Sequence, residues 1–155
     1  MQLPNLSARI EDASGFLRTA GHETVMRRFI NDLVNDGDFA ILDDLVHPDY
    51  VYRAPGQELH GPEELKTLFA AYRTAFPDLH IAIEDLLIAG DKAVIAFTLT
   101  GTHAGVLMGI GATGKEVEAQ GMVLSRFEDG KIIEEWEILD QLTLFEQLGV
   151  VSLPA

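Results

Sequence analysis

The chain has no cysteine, which excludes a disulfide framework, a thiol nucleophile and a thiolate-bound metal. Basic charge is scarce: 11 Lys and Arg face 25 Asp and Glu, for a formal net charge of −14. Nucleic acid and anionic membrane surfaces both demand a basic face, so neither is expected as a partner. The first twenty residues lack the apolar run of a secretory leader and carry Glu11 and Asp12 instead. Residues 93–114 contain no Asp, Glu, Lys or Arg, yet five glycines, four threonines and His103 fall there. A strand followed by a glycine loop is expected in that stretch, not a membrane span. The five histidines have no HxxxH or comparable ligand spacing, so no metal site is expected. Together these absences leave a soluble cytoplasmic domain as the expectation.

What is present suffices for one packed core. The 155 residues are 47% hydrophobic and include 8 Phe, 3 Tyr and 1 Trp, which excludes disorder. Residues 1–20 are weakly patterned, an N-terminal extension with at most a loose helix at 6–17, and 21–155 form a single domain. Val25, Met26, Phe29, Ile30 and Leu33 share a face of a helix over 22–36 that Gly37 stops. A second helix at 38–46 ends at His47-Pro48, and Tyr50-Val51-Tyr52-Arg53 forms a short strand. Gly61-Pro62-Glu63-Glu64 opens a third helix with proline at its first position and acids in its first turn. Leu65, Leu68, Phe69, Tyr72 and Phe76 are its buried stripe. Strands at 81–87 and 92–102 follow, then a loop at 103–114. Early helices and later consecutive strands define an α+β fold with helices on one face of a curved sheet, whose open end is a natural small-molecule cavity.

The last third organises the rest. Residues 115–127 and 131–139 form a long hairpin around Glu128-Asp129-Gly130, and a closing helix follows at 140–148. The second arm carries Glu134, Glu135, Glu137 and Asp140 among large apolar side chains. Two registers compete. A three-residue loop sets Val123 against Glu135 and Gly121 against Glu137, leaving Ala119, Gly121, Val123 and Ser125 as a floor of small side chains. A two-residue Asp-Gly turn pairs Val123 with Trp136, collects Phe127, Ile132, Trp136 and Ile138 on one apolar face, and turns Glu137 outward. A one-residue slip moves every side chain to the other face, and pattern alone leaves both open. Asp140, just ahead of the apolar-periodic Leu142, Leu144, Phe145 and Leu148, suits a helix N-cap.

Gly109-Ile110-Gly111-Ala112-Thr113-Gly114 matches GxGxxG. Phosphate binding by that motif requires a helix immediately after it, whereas residues 115–119 alternate like a strand. It is expected to be a plain loop. His103 ends an apolar strand beside this loop, where a structural and a functional role are about equally consistent with the pattern.

Several pieces recur in order: His47-Pro48-Asp49-Tyr50, Gly61-Pro62, Ala75-Phe76-Pro77-Asp78, Gly101-Thr102-His103-Ala104-Gly105, and Gly109 with Thr113-Gly114-Lys115. Asp129-Gly130-Lys131-Ile132 and Trp136 with Asp140 and Gln147-Leu148-Gly149 complete the set. Over about residues 22–150 the chain thereby resembles the SnoaL-like polyketide (ester) cyclases of the NTF2-like superfamily. The resemblance implies a cone with a curved antiparallel sheet, N-terminal helices on its concave face, a cofactor-free pocket and a homodimer or higher oligomer. It puts the catalytic acid/base at Glu137, three positions before the capping Asp140, where the family has Asp. Glu135 stands at the family's His, Tyr52 at its Asn, and Gly121 and Val123 at its Gln and His on the facing strand; His103 matches unchanged. The substrate-binding set so implied is Tyr52, His103, Gly121, Val123, Trp136 and Asp140, with Glu137 and Glu135 catalytic.

The expected chemistry is acid/base work on a small apolar carbonyl compound. A desolvated Glu137, repelled further by Glu135, is matched to removing a proton beside a carbonyl, with Tyr52 or His103 donating to the enolate oxygen. Intramolecular aldol closure, isomerisation and dehydration all use these parts. A non-catalytic ligand carrier and sheet-to-sheet dimerisation through Met122, Leu124 and Trp136 are the competing classes.

Overall fold

The computed structural model describes the backbone of residues 6–155 and side chains from residue 13 onward. Helix α1 (Leu6–Arg28) runs on through a wider π-helical segment at Phe29–Asn35. The loose helix expected at 6–17 and the helix expected from His22 are thus one continuous helix. His22 lies inside α1, stacked on Phe127 at 4.0 Å between ring centroids, with Nδ1 3.1 Å from the Gly90 carbonyl. This contact ties the helix to the sheet. A 3-10 turn at Phe39–Ile41 leads into the one-turn α2 (Leu42–Leu45), shorter than expected because β1 (Val46–Ala54) takes up His47-Pro48. A short β2 (Gln57–His60), α3 (Gly61–Ala75), β3 (His80–Ala89), β4 (Lys92–Thr102), β5 (Glu116–Glu128), β6 (Lys131–Leu139) and α4 (Gln141–Leu148) complete the chain.

The six strands form one sheet in the order β2-β1-β6-β5-β4-β3. Every neighbouring pair is antiparallel except β1 and β6, which run parallel. The helices cover the concave face, where Met26, Leu33, Leu65, Phe76, Ile95 and Ile132 are fully buried. This is the α+β cone expected from the sequence, with β2 and the parallel pairing added. Bulges between Ile83 and Asp85 and between Arg126 and Phe127's partners bend two strands, and the extra local twist of a bulge curls a sheet.

The hairpin adopts neither expected register whole. At its tip Asp129 (φ 52°) and Gly130 (φ 75°) make a two-residue turn, pairing Glu128 with Lys131 and Phe127 with Ile132. Arg126 then pairs with Glu134, so Ile133 is an extra residue, and beyond it Ser125 faces Glu135 and Val123 faces Glu137. Both Ile132 and Ile133 are buried. The bulge thus reconciles a tight turn with inward-facing glutamates, which a regular ladder could not combine.

Loop 103–114 is clasped to the end of α3. The Ala104 and Gly105 amides both donate to the Ala75 carbonyl, at 2.9 and 3.1 Å. A Cβ on Gly105 would stand 2.2 Å from the Thr74 carbonyl oxygen, a backbone atom that cannot swing aside. Gly105→Ala is therefore expected to cost about 3 kcal/mol, the upper range for overpacking, and to lower Tm by roughly 6–12 °C. A thermal melt within 2 °C of the parent would show that the clasp yields without cost.

Candidate active site

Tyr52, Tyr72, Glu135 and Glu137 are the polar side chains lining an otherwise apolar cavity of about 60 Å³ inside the cone, and Tyr50 and Ser125 bond to Glu135 from outside that lining. Residues 50 and 52, like 135 and 137, are two apart on a strand and so project from the same face. Parallel pairing of β1 with β6 sets Tyr52 beside Glu135. Tyr50 Oη donates to Glu135 Oε1 at 2.7 Å, and Ser125 Oγ donates to Oε2 at 2.9 Å. Tyr52 Oη donates to Glu137 Oε1 at 3.2 Å. Glu135 is 3% exposed; Glu137 is partly exposed, and it lines the cavity along with Tyr52, Tyr72, Phe97 and Val123.

The environment holds these groups in unusual protonation states. Burial pushes Glu135 up to about 7, against the lowering effect of its two hydrogen-bond donors. Glu137 is also pushed up to about 7, by burial first and by the Glu135 charge second. The two donors on Glu135 favour its charged form, and that charge opposes ionisation of Glu137. Tyr50 and Tyr52 are raised by burial and then by the neighbouring glutamates, so both remain protonated donors. Two carboxylates pushed up to about 7 thus face one apolar cavity, a combination able to exchange protons near neutral pH.

Of the expected site residues, Glu135, Glu137, Tyr52 and Val123 meet in this cavity. The other four lie outside its lining. Gly121 pairs with Leu139, not Glu137, and Phe97 fills the space above it: a Cβ there would lie 2.3 Å from Phe97 Cζ. Trp136 points to the opposite, convex face, 38% exposed, with the Arg53 guanidinium 5.6 Å over its ring. Alternation along β6 requires this once 135 and 137 face inward. Asp140 is the N-cap of α4, accepting from Thr143 N at 3.0 Å and from Thr143 Oγ1 at 2.7 Å. His103 is fully buried away from the cavity. Its Nδ1 accepts the Thr113 amide at 3.2 Å and lies 3.0 Å from Thr113 Oγ1, so it fastens the glycine loop. An amide can only donate, so the ring proton sits on Nε2, which is buried without a partner beside Phe76. The GxGxxG stretch is followed by β5, as expected for a loop.

The sequence marks Ser125 only as part of a floor of small side chains, Tyr50 as a strand and motif residue and Tyr72 as part of an apolar stripe, and it gives Phe97 no role at the site. Tyr50 was findable, since its two-residue spacing from Tyr52 repeats that of Glu135 and Glu137. Among the described residues no group of three or more His, Cys, Asp or Glu could hold a metal ion. No helix of the described residues is long and apolar enough to cross a membrane.

A cone whose helices close over paired carboxylates is an α+β fold of the NTF2-like class. Residues 24–148 match the model of the SnoaL-like polyketide cyclases, and the chain belongs to that family. It is 28% identical to the aklanonic acid methyl ester cyclase DnrD of Streptomyces peucetius, over 81% of this chain and 88% of that protein. It is 30% identical to the aklanonic acid methyl ester cyclase DauD of Streptomyces sp. strain C5, over 70% and 67% of the two chains. Among solved structures, TsrD from Streptomyces laurentii superposes with a TM-score of 0.78 at 30% identity, covering 85% of this chain and 97% of that one.

Proposed function

We propose that this protein is a cofactor-independent acid/base enzyme that closes a ring in a small apolar carbonyl compound by an intramolecular aldol step. The observation that carries the proposal is Glu137, a carboxylate with a pKa pushed up to about 7, facing an apolar cavity. Ionised Glu137 takes a proton from the carbon beside a carbonyl, and the C–H electron pair becomes the enolate. The enolate carbon attacks a second carbonyl of the same molecule, forming the new C–C bond. The resulting alkoxide then recovers the proton from Glu137, so no reagent is consumed. Glu135, anchored by Tyr50 and Ser125, keeps Glu137 basic enough for carbon acids. Isomerisation would use the same proton transfer without the bond-forming step. The apolar wall folds the chain so that the reacting carbons meet, and such proximity lowers the barrier without a covalent intermediate.

The cyclase relatives are named for aklanonic acid methyl ester, which makes that ester and smaller β-keto methyl esters the substrates to test. Activity as a function of pH is the experiment. For a catalytic base, kcat/KM rises with pH through a midpoint near 7. In Glu135→Gln the like charge beside Glu137 is gone, so the midpoint moves to lower pH. A flat profile, or a midpoint unmoved by Glu135→Gln, removes the paired-carboxylate mechanism.

The convex face supports a homodimer. Met122, Ile138 and Trp136 are 55%, 62% and 38% exposed side by side on β5 and β6, and light scattering at micromolar concentration tests that assembly.

A further inference from the structure

We infer that the substrate's carbonyl oxygen is held by Tyr72, on the helical wall of the cavity, and not by Tyr52 on the strand. This rests on the acid/base function proposed above and adds the group that receives the enolate's charge. A phenol has one proton to donate. Tyr50 gives its proton to Glu135 and Tyr52 gives its proton to Glu137. Tyr52's donation becomes stronger as Glu137 ionises, because a hydrogen bond to a charged acceptor outweighs one to a neutral carbonyl. The phenol assigned to the base is therefore least available to the substrate at the moment the base is active.

Tyr72 is the second phenol lining the cavity, with Tyr52, and the only tyrosine of the chain besides Tyr50 and Tyr52. It projects from α3 among Leu65, Leu68 and Phe69, one turn from the helix end, and its ring is half-buried. Among the described residues no hydrogen bond engages its hydroxyl. It lies close enough to Glu137 and Tyr52 for their electrostatics to reach one another. Burial and the Glu137 charge push it up to about 12, so at neutral pH it keeps its proton and acts only as a donor.

The placement suits enolisation. In a carbonyl compound the oxygen and the acidic hydrogen leave neighbouring carbons in different directions, so a donor and a base on different walls can engage both at once. Glu137 supplies the base from β6, and Tyr72 supplies the donor from α3. Glu137 takes the proton, the C–H pair becomes the enolate π bond, and the charge on oxygen is met by the Tyr72 hydrogen bond with no proton leaving the phenol. The remaining lining is apolar apart from Tyr52 and the two glutamates. The geometry therefore selects a ligand with one anchored carbonyl and an otherwise hydrocarbon body next to it.

Cyclohexanone labelled with carbon-13 at the carbonyl is the probe, since donation to a carbonyl moves that resonance downfield. It is titrated into the parent protein, Tyr72→Phe and Tyr52→Phe, all checked by thermal melts. The expected result is a downfield bound resonance in the parent and in Tyr52→Phe that is lost in Tyr72→Phe. The dissociation constant of Tyr72→Phe rises about two- to ten-fold, the worth of one neutral hydrogen bond. A downfield resonance that survives in Tyr72→Phe, or is lost in Tyr52→Phe, overturns the assignment and leaves the carbonyl chamber standing. Absence of a bound resonance in all three proteins overturns the chamber as a carbonyl site, and the inference with it.

Discussion

Turnover is expected to fall about 10³-fold in Glu137→Gln, within the 10²–10⁴ range for loss of a positioned general base, while ligand affinity is expected to stay within about three-fold. Gln has the length and shape of Glu and keeps a carbonyl oxygen to accept from Tyr52, so the cavity wall is preserved. What it lacks is a site for the substrate's proton. That proton is abstracted only on the way to the transition state, so the variant loses kcat and retains binding. The split separates catalysis from carriage. A ligand carrier of the same fold shows no turnover in either protein and the same affinity in both. If Glu137→Gln lowers affinity and turnover by the same factor, the carboxylate serves binding and the proposed chemistry belongs to another group. Tyr52→Phe is the graded companion. It removes a donor that lowers the Glu137 pKa, so the alkaline shift of the kcat/KM midpoint reports the strength of that hydrogen bond.

The legible parts of this chain are those with local causes. Gly61-Pro62 followed by Glu63 and Glu64 marks the start of α3 to the residue, because proline and acids suit a helix's first turn. Asp140 caps α4, and Gly149 at φ 78° closes it, both from side-chain chemistry within a few positions. Inward glutamates at 135 and 137 were one of two registers, and the deciding feature was a bulge. Ile133, as apolar as its neighbour, carries no mark that it is the extra residue. The parallel pairing of β1 with β6 joins positions some 85 apart, and nothing local in Val46–Ala54 announces it. Tyr72 reads in the sequence as one more member of an apolar stripe, which it is; only the facing wall makes its hydroxyl chemically distinct. Gly121 illustrates the reverse error. A floor of small side chains looked like room for a ligand, but the partner strand's Phe97 occupies it.

The same burial that makes Glu137 basic makes the fold less stable as pH rises. Both glutamates shift from an ordinary 4.5 to about 7 in the folded chain. The folded state therefore binds more protons than the unfolded state between those values, and stability declines as pH climbs through that window. Each shift, taken alone, corresponds to about 3 kcal/mol at 1.36 kcal/mol per unit, an upper figure for groups that share one environment. Asp78, Glu134 and Asp140 are shifted the opposite way by Thr102, Arg126 and Thr143. They lend stability at neutral pH that is lost only as pH falls through their lowered values. The two trends overlap near the acid end, so the parent's melting curve alone does not isolate the buried pair. Subtraction against Glu137→Gln does. The variant has no charge to desolvate at 137 and relieves Glu135 of its neighbour, so at pH 8 it is expected to be about 2 kcal/mol more stable than the parent. For a chain of this length that raises Tm by roughly 4–8 °C. At pH 5, where Glu137 is protonated in the folded parent, the difference shrinks towards zero. A variant that melts at the parent's temperature at both pH values would mean that water reaches Glu137 freely. The cavity would then lack the dryness on which the base depends. Gain of stability with loss of turnover in one substitution is the signature of a group held charged against its surroundings for the sake of its chemistry.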